Sequence, residues 1–254
     1  MKRNETIDIQ TKHRTIRDFK PEAVREEDLD LLMEVARRTA SSSGMQAASI
    51  IKVTSVELKK EFAKICRQKY VEEVPTLLIF IMDQYRNNNL AKETGAEFHH
   101  GDDMDKFFQG FTDACIMAQN VVVAAESMGY GTVFFGSILN DPEKTIKLLN
   151  LPKLTFPVVG IGIGLPNQEP QLKPRMKMDL RVFENGYVRH DGEYLKLFED
   201  YDEEMTTYYD LRENNSRSDS FSKQAVAKMT NSIPERAEIM NAVVAQGFDL
   251  RLKK

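Results

Sequence analysis

The chain has 254 residues, 41 % of them hydrophobic, with 35 Lys and Arg against 39 Asp and Glu for a net charge of −4. That is enough apolar material for one substantial core, with room for an appended subdomain. The acidic balance argues against general nucleic-acid binding, which needs clustered Lys and Arg on a domain of positive balance. The opening MKRNETIDIQ lacks the apolar run of a secretory signal, and no stretch of about 18 uncharged apolar residues follows to span a bilayer, so a cytoplasmic protein without membrane contact is expected. Cys66 and Cys115 have no CxxC partner and the four histidines show no HExxH spacing, so neither a disulfide framework nor a metal site is expected and both thiols read as buried.

In chain order, EEDLDLLMEVARRT (26–39) places Leu29, Leu32, Met33 and Ala36 at helical spacing, which predicts an amphipathic surface helix. A Ser-rich turn follows, then SIIKVT (49–54) and TLLIFIMD (76–83), two strand-like runs with the helical segment VELKKEFAKIC between them. The second run is apolar throughout, as expected of a central strand buried on both faces. The polar stretch 84–103 reads as a mobile loop or short helix, and FFQGFTDACIMAQNVVVAAESMG (107–129) as a long helix apolar nearly all round, buried in a core or a subunit interface. GTVFFG and FPVVGIGIG give two more strands, separated by a helix with Asp141 as cap and Pro142 at its first position. Alternating helices and strands predict an α/β or α+β domain with helices covering a sheet. From about 190 the chain is polar and charged, and SIPERAEIMNAVVAQGF reads as a final helix with Ser232 and Glu235 in capping-box spacing.

Three sets of segments are candidates for chemistry, and the first is excluded. GIGIGLP (160–166) does not make a dinucleotide fingerprint, because its glycines alternate inside a strand and Pro166 follows at once; they suit close packing of another backbone. KHRTIRDF (12–19) concentrates Lys12, His13, Arg14 and Arg17 in eight positions of an acidic chain. This is either a solvated basic turn or half of a phosphate site, whose other half is LKPRMK (172–177) with Lys173 and Arg175 on an extended segment stiffened by Pro174. ASSSGMQ (40–46) packs three hydroxyls, a glycine and an amide into a turn, RQKYVEEVP places Gln68 and Tyr70 before the central strand, and FFGS places Gly136 and Ser137 after another. An amide for a polar edge and a glycine where the main chain comes close would suit a planar heterocycle.

The segments HRTIRDF, ASSSGMQAASIIKV, QKYVEEVP, AQNVVVAAESMGYGTVFFGSILNDPE, FPVVGIGIGLPNQEPQLKPR and YYDLRENNSR, in this order and spacing, together resemble the nitroreductase family of flavoproteins, in its NADPH-dependent flavin and nitro reductase branch. The resemblance implies an α+β, nitroreductase-like fold: a central mixed sheet covered by helices in a single domain, 1–254, with 190–254 as a helical C-terminal extension. It also implies a homodimer with FMN at each subunit interface. His13, Arg14, Thr15 and Arg17, with Lys173 and Arg175, would hold the FMN phosphate and ribityl end. Ser41, Ser42, Ser43 and Gln46 would line the flavin, partly from the partner subunit, and Gln68, Tyr70, Gly136 and Ser137 would flank the ring. Arg212 and Arg217 match tail arginines that meet the NADPH 2′-phosphate. The implied activity is ping-pong hydride transfer from NADPH to small-molecule electron acceptors (nitroaromatics, quinones, azo compounds or free flavin), with no catalytic side chain required. A flavin carrier of the same fold with little turnover is the alternative. The chain departs from the branch in having Gly44 for a common Asn, Ser137 for a second Gly, Arg67 for a Gly, and no Trp near Phe221.

Overall fold

A computed structural model describes residues 3–97, 99–210 and 216–251. The chain divides into two compact units, Met1–Glu169 with Ile233–Lys254, and Pro170–Ser232. In the first, helices α1 (Glu5–Thr11) and α2 (Glu26–Arg37) precede strand β1 (Ala48–Val53), helix α3 (Val56–Cys66) and strand β2 (Thr76–Asp83). Helices α4 (Tyr85–Glu93) and α5 (Met104–Ser127) follow, then β3 (Gly131–Phe135), α6 (Pro142–Leu148) and β4 (Thr155–Gly164). The strands pair in the order β1-β2-β4-β3.

β2 lies inside the sheet with Leu77 to Met82 all buried, as its unbroken apolar run requires. The mixed sheet expected from the sequence is antiparallel in each of its three ladders, with one isolated parallel bridge, Thr15 to Thr132, adding the N-terminal segment beside β3. The β1–β2 pairing has a local cause. Lys59, in the first turn of α3, donates from Nζ to the carbonyls of Val74 and Pro75 at 2.7 and 3.1 Å. The chain thus re-enters the sheet at the end where β1 left it. The β2–β4 register shifts between Phe80 and Ile81, beside Pro157, which has no N–H to give a ladder.

Helix α5 approaches the sheet through small residues: a Cβ on Gly110 would stand 2.7 Å from the carbonyl oxygen of Ala47. Its other face carries Phe108, Cys115 and Ile116 exposed, so Cys115 is not the buried thiol expected; the helix is apolar on its outward side as well as its inward one. Cys66 is buried. The 84–103 stretch holds the short helix α4. Asp141 caps α6 as expected, accepting from the Lys144 N–H at 2.9 Å.

The second unit contains α7 (Tyr194–Leu197), α8 (Glu199–Thr207), the two-residue strands β5 (Tyr209–Asp210) and β6 (Ser216–Arg217), and α9 (Phe221–Thr230). Phe198 stacks on Phe221 with ring centroids 5.2 Å apart, and the Ser222 N–H donates to Asp202. The expected final helix is two short ones, α10 (Pro234–Ala237) and α11 (Ile239–Ala245). The Ser232–Glu235 capping box does not form: Ile233 is the cap residue, and Glu235 reaches the Arg67 guanidinium instead, at 3.8 Å. Ala242, Val243 and Phe248 join the core of the first unit, Phe248 packing edge-on to Phe107 at 5.1 Å.

Gly160, Gly162 and Gly164 of β4 are where neighbours press on the strand. A Cβ on Gly162 would lie 2.9 Å from methyls of both Val133 and Val74. Gly162→Ala should therefore destabilise the fold by about 1–3 kcal/mol, read as a lower urea midpoint at unchanged slope.

Candidate functional site

The cationic segment 12–19 is held along β3. The Ile16 N–H donates to the Thr132 carbonyl at 2.9 Å, and the buried Ile16 side chain fills the space a side chain on Gly131 would take. His13 Nδ1 sits 2.7 Å from Glu126 Oε1, the same oxygen that accepts from the Thr132 hydroxyl at 2.5 Å. Glu126 thereby fixes the imidazole and leaves Nε2 for another partner. Arg14 donates from Nη1 to the Lys12 carbonyl at 3.2 Å, while the Nε atoms of Arg14 and Arg17 are both buried without a hydrogen-bond partner. A buried charged donor left in this state is costly, so the segment is shaped for an acceptor with negative charge.

The serine turn is organised by α5. Asp113, only 2 % exposed, accepts from the backbone N–H of Ser42 at 2.7 Å and of Ala47 at 3.2 Å, one carboxylate oxygen to each. Between these anchors Ser43, Gly44 and Gln46 all take left-handed backbone, with φ of 51°, 69° and 51°. Gly44 thus occupies a position that either Gly or Asn suits, which accounts for that departure from the branch. Arg86 and Asn87 of α4 tie down the carbonyls of Gln46 and Met45 at 2.5 and 3.0 Å. Ser41, Met45, Gln46, Ser49, Arg86 and Asp113 are among the residues lining a cleft of about 530 Å³ here.

Gln68, Tyr70, Gly136 and Ser137 meet in a third group. The Ser137 hydroxyl donates to Gln68 Oε1 at 3.2 Å, and Tyr70 lies 5.9 Å from the Phe135 ring. Gly136 has nothing within 4 Å of where a Cβ would be, so its backbone face is open. Arg67 caps α3 in left-handed backbone at φ 55°, the reason a glycine is the easier residue there. Behind Ser137, burial pushes the Cys66 thiol up to about 11, which leaves it neutral and unreactive at physiological pH.

Sequence reasoning missed three residues that hold these groups: Asp113, Glu126 and Arg236. Asp113 and Glu126 are the only charged residues within 107–129, and that isolation in an apolar helix was the available signal. Arg236 of α10 donates to the Gly136 carbonyl at 2.9 Å and to Asn140 Oδ1 at 3.3 Å, and no sequence pattern marks it.

Lys173 and Arg175 lie in the second unit. There Lys173 Nζ stands 5.6 Å over the Tyr208 ring, and Arg175 donates to the carbonyls of Lys173 and Pro174, both at 3.1 Å. Arg217 is exposed on β6, opposite Tyr209; Arg212 falls outside the described residues.

Residues 11–165 match the family model described as the nitroreductase family, and 173–251 match the model of that family's C-terminal domain. The chain belongs to the nitroreductase family. It is 32 % identical over 239 residues to an NADPH-dependent oxidoreductase of Staphylococcus saprophyticus, covering 93 % of this chain and 94 % of that one. Among solved structures it is similar to NfrA2 of B. megaterium, with a TM-score of 0.88 and 33 % identity over 98 % of this chain and 100 % of the other. It is also similar to the NADPH:FMN oxidoreductase of Vibrio harveyi complexed with NAD+, with a TM-score of 0.83 and 30 % identity over 96 % and 99 %.

In this chain the Asp113 carboxylate is the tie between helix and turn. Asp113→Asn turns one acceptor into a donor facing a backbone N–H. We expect a loss of about 1–3 kcal/mol in urea unfolding, together with faster proteolysis within 41–47.

Proposed function

We propose that this member of the nitroreductase family is an FMN-dependent NADPH oxidoreductase acting on planar, electron-poor acceptors: nitroaromatics, quinones, azo compounds or free flavin. The observation that carries this reading is the pair of buried, unpartnered guanidinium Nε atoms of Arg14 and Arg17. A phosphate monoester brings both the negative charge and the acceptor oxygens they lack. The names of the Vibrio harveyi and staphylococcal proteins support the same cofactor and electron donor.

When bound, FMN would supply the redox chemistry, a ping-pong transfer of a hydride equivalent from NADPH to an acceptor. The chain's part is binding and orientation. Arg14 and Arg17 grip the phosphate, with Thr15 beside it, and His13, steadied by Glu126, adds a donor from Nε2. Ser41, Ser42, Ser43 and Gln46 would line the flavin, partly that of the partner subunit. Gln68 and Ser137 serve the polar edge of the ring, Tyr70 flanks it, and Gly136 lets the backbone lie close to it. Phosphate contact by Lys173 and Arg175, and 2′-phosphate contact by Arg212 and Arg217, rest on the family resemblance. The exposed Phe108 and Ile116 on α5 support a homodimer as the working form.

The purified protein should be yellow, and one equivalent of NADPH added anaerobically should bleach its flavin bands within seconds. Bands that persist would identify a flavin carrier, and a colourless protein that takes up no added FMN would overturn the phosphate reading. Replacing Arg212 and Arg217 together by Ala should raise KM for NADPH at least tenfold and leave KM for NADH within about twofold, since a hydrogen-bonded charge contact contributes about 1.5–3 kcal/mol. An equal rise for both nucleotides would remove these residues from 2′-phosphate recognition.

A further inference from the structure

We infer that Gln168 is a third donor to the phosphate site, acting beside Arg14 and Arg17. This rests on the FMN reading above and adds a residue to which that reading gives no part. Among the described residues, four buried side-chain polar atoms have no hydrogen-bond partner: Arg14 Nε, Arg17 Nε, Gln168 Nε2 and Asp103 Oδ1. The last is in ion-pair contact with the Arg251 guanidinium. The remaining three are all nitrogen donors.

Backbone pairing sets the two segments that carry them side by side. Beyond β4 the chain runs antiparallel to the cationic segment: Phe19 bridges Pro166, the Lys20 N–H donates to the Leu165 carbonyl at 2.9 Å, and the Asn167 N–H donates to the Asp18 carbonyl at 3.0 Å. The Asn167 and Asp18 side chains also meet, at 3.1 Å. This pairing ends at a bend at Asn167, so Gln168 and Arg17 are each the next residue beyond the last paired positions, Asn167 and Asp18. Three buried donors without a hydrogen-bond partner, carried by two adjoining segments, call for a ligand rich in acceptor oxygens, as a phosphate is.

Gln168 brings direction without charge. Two guanidinium groups attract any anion of suitable size, whereas a primary amide rewards an oxygen held at one point. Its contribution therefore falls on the phosphate of FMN and not on the ring, which riboflavin shares.

The test is titration of the apoprotein with FMN and with riboflavin, following flavin fluorescence, for the wild type, Gln168→Ala and Gln168→Glu. Gln168→Ala should raise the Kd for FMN about tenfold and leave that for riboflavin within twofold. Gln168→Glu, which keeps the length and packing of the side chain but sets a carboxylate against the phosphate, should weaken FMN more strongly still and again spare riboflavin. It also carries the test if the alanine variant does not fold. An unchanged FMN affinity in a variant of a wild type that binds FMN, or an equal loss of both flavins, would overturn the assignment of Gln168 and leave the FMN reading standing. A wild type that binds FMN no better than riboflavin would overturn both.

Discussion

Helix α5 lies against the sheet through residues without bulk, and the candidate site depends on where that leaves its two carboxylates. Gly110 allows the helix to within van der Waals reach of the Ala47 carbonyl, and the alanines at 114, 118 and 125 are fully buried further along. At this distance Asp113 is delivered beneath the serine turn and Glu126 beside the cationic segment. Thirteen residues of helix set the two about 20 Å apart, so one rigid element spaces two otherwise unconnected loops. A binding site built on such a spacer loses little order when its loops move individually.

The same logic runs through the smaller contacts. Each chemically useful segment is irregular, and each is held by a polar group from elsewhere: the serine turn by Asp113, Arg86 and Asn87, His13 by Glu126, Gly136 by Arg236. Irregular backbone has no repeating ladder of its own, so its N–H and C=O groups find side chains. The donors that stay unpaired in the first unit, on Arg14, Arg17 and Gln168, are then notable by contrast, because the surrounding structure satisfies its polar groups so thoroughly.

Much of the fold is legible in the sequence because its signals are local. β2 is apolar at every position since both its faces are covered, α2 shows its buried stripe at helical spacing, and Asp141 with Pro142 announces α6. The failures have equally specific causes. Ser232 and Glu235 have the spacing of a capping box, but Pro234 starts the helix after Ile233, and Glu235 turns to Arg67. Cys115 lies on an apolar helix yet is exposed, because a helix apolar all round does not declare which side faces the core.

The sequence by itself determined the element types, the location of the cationic, serine-rich and glycine-bearing segments, and the family they resemble. These follow from periodicity and short-range chemistry, which are properties of neighbouring residues. Tertiary structure decided the antiparallel strand order, the return of the last residues to the first unit, and which groups hold the site together. Ser42 and Asp113 are 71 positions apart and His13 and Glu126 are 113 apart, so no local pattern records either contact. Gln168 is brought beside the cationic segment in the same way, through backbone pairing that exists only once the chain has folded.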